Sequence, residues 1–407
     1  MFLPHEVPST SSFPKNLKHR HPRKKVTVSE SYHHNNINKK KYYGLPPTMA
    51  PTDAKALDDI IASTSALLAQ FLASLSDNSP IPSDKRIADP PNPLQVFADA
   101  SKLLKAHVTK LSLLVLNKPF TPSAVTRVLR DLSTTCLPAL ISGVQICQQE
   151  KAVWSAFLGR EAAIRTRRVF RELETLLGEV KSVAQGAAAG SSGGRDSLSA
   201  TGVVWESCDA LAELNALGLA GLAVQKAEQW RETIRDAIEE LQEWAEGEDL
   251  ETEGKTDELL DSDDEGVEGD DNDSLNDLFN AANSMPADRP ELKQLVEQAV
   301  EKLKKVEILY KALAKRRLKA YKAVKSQEGK KSSAELLDEI TDSLSTLPDM
   351  VDDLASTFYD LEEEQAKKAL SGCVTKARET AELARLDYEG KEDEFSTWSK
   401  KWMEAIG

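Results

Sequence analysis

SSAELLDEITDSLSTLPDMVDDLASTFYDL, residues 332–361, carries apolar side chains at Leu337, Ile340, Leu344, Leu347, Val351, Leu354, Phe358 and Leu361. The steps alternate between three and four residues, which places all eight on one side of a helix. Asp338, Glu339, Asp342, Asp349, Asp352, Asp353 and Asp360 fall between them and call for water. Pro348 removes one helical hydrogen bond and crowds the turn before it, so a kink or break is expected near Leu347. A helix with one apolar seam must bury it against other helices.

The remaining sequence supplies them. A chain of 407 residues has room for two helical domains. Ala, Leu, Glu and Lys dominate the periodic segments, aromatic residues are few, and no alternating β-branched run competes. The fold class expected is all-α. Cys136, Cys147, Cys208 and Cys373 are scattered, which fits a reducing compartment and speaks against a disulfide framework or a zinc cluster. No continuous apolar run approaches the length of a bilayer span, and MFLPHEVPST lacks the pattern of a signal peptide. The net charge of −14 divides unevenly: residues 1–48 carry +7 and the rest −21. So acidic a body is a poor general binder of nucleic acid.

Residues 1–51 are expected to be a disordered basic tail, with clusters at Arg23-Lys24-Lys25 and Lys39-Lys40-Lys41. His33-His34 lacks companion ligands at metal spacing. Met49 is a candidate start of the functional protein, with the preceding residues an upstream extension. An N-terminal bundle is expected over 52–213. Its first helix runs from about Asp53 to Ser76, and a second from Leu94 to Leu116 carries Phe97, Leu104, Val108, Leu111 and Val115 inward. A third begins at Thr121-Pro122, bends at Pro138 and ends near Gln149. A fourth spans about Phe157 to Val183 with Ile164, Phe170, Leu173 and Leu177 inward. The connector QGAAAGSSGGRDS has no Gly-Lys-Ser/Thr and no preceding strand, so it is not a phosphate loop. A helix from Ser199 and a longer one to about Ala245 meet at a soft joint between Asn215 and Gly221.

A C-terminal bundle is expected over 214–407, interrupted by an acidic disordered insertion at 246–286. Residues 246–273 hold fifteen Asp or Glu against one Lys, too dense a charge to bury. Asp261, Asp263, Glu265 and Gly266 resemble the start of a calcium loop, yet the twelfth position is Asn272 where a bidentate Glu is needed. Ser262 precedes Asp263, Asp264 and Glu265, and Ser274 has Asp277 three residues on, so both are candidate phosphorylation sites for acid-directed kinases.

After Pro290 a helix is expected to about Lys325, through Leu295, Leu303, Val306, Tyr310, Ala320 and Val324. Residues 302–331 carry +10, read as a solvated basic face. Basic amphipathic helices also bind calmodulin, anionic membranes or DNA. Phe395, Trp398, Trp402 and Ile406 share one face of a last short helix, packing it to the bundle or, if exposed, forming a docking surface. The one histidine of the folded part, His107, reads as structural. No HExxH, GxSxG, CxxC or dinucleotide pattern occurs. No catalytic residue, metal site or cofactor is expected, and the protein is expected not to be an enzyme.

ELLDEITDSLSTLPDMVDDLASTFYD (335–360) resembles the signature helix of the cyclin-D-binding protein family, the Grap- and cyclin-D-interacting or GCIP-like proteins. TGVVWESCDAL (201–211) is similar to that family's Val-Trp segment before a long helix, and the order of helices and acidic insertion fits over about residues 52–370. The resemblance implies two antiparallel helical bundles of the talin/vinculin type. It also implies a location in cytoplasm and nucleus, and a role in restraining the cell cycle through cyclin-like or transcription-regulatory protein partners. The alternative is a cytoskeletal or membrane-linked scaffold of the same architecture. No small-molecule substrate is expected, nucleic acid is not a favoured partner, and no transmembrane segment is expected.

Overall fold

An apolar seam at three-and-four spacing is buried only where helices line up along it, and this chain lines them up repeatedly. The computed structural model describes residues 51–76, 89–186, 197–246, 285–286, 288–323 and 331–407, and among these the regular structure is helical with no strand. In chain order, α1 is Pro51–Ser74, α2 Pro93–Leu116, α3 Pro122–Asp131, α4 Leu137–Gln149, α5 Lys151–Trp154 and α6 Ala156–Ala184. Next come α7 Ser197–Glu246, α8 Pro290–Leu313, α9 Ser333–Tyr359, α10 Glu363–Leu383 and α11 Glu394–Ile406. Residues 49–407 form one compact unit.

Local sequence sets the helix starts. Asn92 caps α2 by accepting from the Leu94 N–H, and Pro93 opens the first turn where no N–H is needed. Ser332 and Glu335 form a reciprocal capping box at α9. Thr121 is the cap residue of α3, but its hydroxyl makes no capping bond.

The two helix-interior prolines are each accommodated in a different way. Ahead of Pro138 the chain widens into a π-helical turn, Leu132–Cys136, in which the Leu137 N–H donates to the Leu132 carbonyl. The helix therefore carries on from Pro122 to Gln149 with one residue extra in that turn. Pro348 does not break α9, contrary to the sequence expectation. Its missing N–H leaves the Leu344 carbonyl without an intrahelical donor, and the buried Tyr310 hydroxyl of α8 donates to that carbonyl at 2.5 Å. From Leu337 to Phe358 every residue of the α9 seam is buried.

Helix α7 is the spine. Ser112 of α2 and Thr201 share a buried hydrogen bond of 2.6 Å, Lys105 pairs with Asp209 at 2.6 Å, and Arg165 of α6 donates to the Ala210 carbonyl at 2.6 Å. Those contacts fix α2 and α6 against the N-terminal half. On the C-terminal half, Trp244 meets Tyr359 of α9 edge-on, with ring centroids 5.3 Å apart, while Arg231 lies 3.8 Å from Glu307 of α8. Between the halves Gly218 takes φ 59° and ψ −172°, a conformation that side-chain-bearing residues avoid, and it kinks the helix. Gly218 lies in the joint expected at 215–221, and the boundary expected between 213 and 214 falls inside this helix. Gly143 of α4 is small for another reason: a Cβ there would lie 2.6 Å from the Phe97 ring.

Three local readings need correction. Ile164, expected inward, is 53% exposed, because it sits about 120° round α6 from Phe170. The helix expected to reach Lys325 ends in a π-helical turn, Ala314–Leu318; Ala320 is exposed and Val324 lies outside the described residues. Finally, stretches of α1 (Thr52–Ser74) and α7 (Ser199–Glu246) are long and apolar enough to cross a membrane by length and composition alone, being rich in Ala and poor in charge. In this fold α1 packs on α3 and α6, and α7 on α2, α6, α8 and α9.

Candidate interaction surface

Asp338, expected to face water, instead reaches across to α6. Its carboxylate accepts from the Ser155 hydroxyl at 2.6 Å and from the Ala156 and Phe157 N–H groups at 2.8 and 2.9 Å. Ser155 in turn accepts from the Leu158 N–H. The free donors at the start of α6 are thereby satisfied, with negative charge at the positive end of the helix. Arg160 then pairs with Asp342 one turn further along α9. Ser155 is fully buried with φ 65°, a strained conformation for a residue other than glycine, and the Asp338 contact holds it there. Asp338→Ala is expected to lower the unfolding free energy by about 1–2 kcal/mol. It should also speed amide exchange at Ala156 and Phe157 before other parts of α6. Unchanged exchange there would mean that the carboxylate is not what holds the helix start.

The basic helix is only partly the solvated face that its composition suggests. Arg317 is 1% exposed. The π-helical turn carries it inward, where it donates to the Ala384 and Arg385 carbonyls at 2.6 and 2.9 Å. It grips both oxygens of Asp393 at 2.7 and 2.8 Å and stacks 4.5 Å from the centre of the Phe395 ring. Asp393 is the N-cap of α11, and the Arg317 guanidinium holds its carboxyl down to about 2. At the other end of α11, Lys302 and Lys305 donate to the Ile406 and Ala405 carbonyls at 3.0 and 2.8 Å. Trp402 donates to the Lys305 carbonyl at 2.9 Å. The basic residues of α8 thus clamp α11 antiparallel along their own helix. Phe395, Trp402 and Ile406 are buried in that contact, while Trp398 stays half-exposed.

Beside Trp398 lies a groove of about 280 Å³ between α8 and α11, floored by Ile308, Ala312, Phe395 and Trp398 and rimmed by Lys311, Lys315, Arg316 and Glu394. Ile308 is 47% exposed at its base. Two larger hollows lie nearby. One of about 660 Å³ begins where α11 ends at Gly407 and runs along α8 and α10, and one of about 780 Å³ lies between the start of α9 and the α10–α11 loop.

Little in the described residues offers reaction chemistry. His107 is half-buried on α2 and lines none of these three hollows. All four cysteines are buried and unbonded, and burial pushes the Cys147 and Cys208 thiols up to about 12 and Cys373 to about 11. Among the described residues no three His, Cys, Asp or Glu side chains gather as metal ligands would. Ser262 and Ser274, the calcium-like residues from Asp261 to Asn272, and the basic tail with His33 and His34 lie outside the described residues. Arg317 and Asp393 were not legible as a pair, because nothing in their spacing links them; only the π-helical turn joins them.

No solved structure matches the chain. An uncharacterized protein of Schizosaccharomyces pombe is 25% identical over 365 residues, covering 88% of this chain and 97% of that relative. Residues 96–247, from the first turns of α2 to the end of α7, match the family described as Grap2 and cyclin-D-interacting, N-terminal. Over that stretch the chain is of the Grap2 and cyclin-D-interacting type, with the family's N-terminal domain built from the helices that flank α7 and from α7 itself.

Proposed function

We propose that the protein is a non-enzymatic interaction module that restrains cell-cycle progression by binding cyclin-like or transcription-regulatory proteins in cytoplasm and nucleus. The observation that carries this reading is the family match over residues 96–247. Supporting it, the described helices spend their apolar seams on one another, and their thiols are held protonated by burial. Ser262 and Ser274 would regulate binding, since phosphate deepens a charge that is already strongly negative.

The test is affinity purification of the tagged full chain, with and without residues 246–285, and then reconstitution with purified candidate partners. Recovery of a D-type cyclin or a transcription regulator that rebinds in purified form is the expected result. Cosedimentation with actin filaments and no cyclin bound would replace this reading with a cytoskeletal scaffold.

A further inference from the structure

The groove between α8 and α11 combines features that the clamp on α11 does not require. Ile308 is a large β-branched side chain left 47% exposed at the bottom of a concavity, next to the half-exposed indole of Trp398. Burying both would complete the contact that Phe395 and Trp402 begin. Lys311, Lys315 and Arg316 stand over this apolar floor. Lys311 is tied to Glu307 and Arg316 to Glu394, but among the described residues no carboxylate pairs with Lys315. Lys304, Lys319 and Lys322 extend the same exposed basic stripe beyond the groove.

We propose that this groove seats a short acidic segment of a partner protein, which inserts one bulky apolar side chain between Ile308 and Trp398 while its carboxylates meet Lys315 and its neighbours. The proposal deepens the reading of the chain as an interaction module and rests on it. Charge complementarity selects the occupant. A short peptide lies within about one Debye length, roughly 8 Å, of the groove and feels the local cations. A bilayer or a DNA duplex spreads over much more of a molecule whose net charge is −14 and is repelled by it. A concave floor also suits an inserted side chain better than it suits a flat lipid surface.

The experiment selects binders from a random peptide display library on the immobilised full chain, then measures a fluorescein-labelled selected peptide by polarisation. Expected are sequences with one Leu, Ile, Phe or Trp flanked by Asp or Glu. Their binding should weaken roughly tenfold with Ile308→Asp. Lys315→Glu and added salt should weaken it as well. Ile308 and Lys315 are exposed, so both variants should melt like the parent, which separates lost binding from lost fold. No enrichment, enrichment without acidic residues, or binding indifferent to Ile308→Asp would overturn the proposal. So would tighter binding to phosphatidylserine vesicles or duplex DNA than to the peptides. A cyclin that binds Ile308→Asp as well as the parent removes the groove and leaves the module reading standing; acidic peptides that bind while no cell-cycle partner is recovered do the reverse.

Discussion

Tyr310→Phe should lower the unfolding free energy by about 1–3 kcal/mol, and that loss should largely disappear when Pro348 is also replaced by Ala. The two residues share one acceptor. Proline at 348 deprives the Leu344 carbonyl of its helical donor, and the Tyr310 hydroxyl, on a side chain only 1% exposed, is the group that replaces it. Removing the hydroxyl leaves a carbonyl inside the core with neither protein nor water to satisfy it. With Ala at 348 the helix regains an N–H aimed at Leu344, so phenylalanine at 310 no longer exposes a deficit. Denaturant unfolding of the four variants gives the coupling directly. Equal cost of Tyr310→Phe in both backgrounds would show that the hydroxyl is not substituting for the missing amide.

Arg317→Ala is expected to cost more, about 3 kcal/mol or above, and to loosen α11 specifically. The substitution strands the Ala384 and Arg385 carbonyls, removes the cation over Phe395 and releases Asp393 from its partner. Arg317→Lys should rescue little, since an ammonium cannot span two carbonyls and both oxygens of one carboxylate. The acid dependence has a definite sign. Asp393 is held near 2 in the folded chain against an ordinary 3.8, so its ionised form favours folding. That contribution is complete above about pH 4 and is lost as pH falls through about 2. Between those limits the parent should lose stability more steeply than Asp393→Asn, as read from melting temperature against pH. Parallel curves would mean that Arg317 does not hold the Asp393 proton off. Asp393 is itself 38% exposed, so water screens part of the effect.

Much of this architecture was legible in the residues. The 332–361 seam is buried as its spacing demands, Phe97, Leu104, Val108, Leu111 and Val115 all turn inward, and Gly218 kinks α7 where small residues cluster. Periodicity reports which side of a helix is apolar, and that side must be covered. It does not report which polar residue reaches a neighbouring helix. Asp338 looked like one more solvated acid and Arg317 like one more solvated cation, because their partners lie 183 and 76 residues away at Ser155 and Asp393. The uncapped start of α6 and the carbonyls after α10 exist only once the helices are side by side. Ile308 escaped notice for the same reason: its exposure depends on where α11 stops covering α8.

The π-helical turn at Ala314–Leu318 carries a consequence for how this chain tolerates change in length. A turn that holds one residue too many fixes an angular offset, and every side chain after it inherits that rotation. Deleting a single residue from it would let the helix close into regular geometry and would swing the downstream side chains by about 100°. Arg317 would then point away from Asp393 although its neighbours in sequence had hardly changed. Homologues that keep this corner should therefore vary in the identity of those five residues far more freely than in their number.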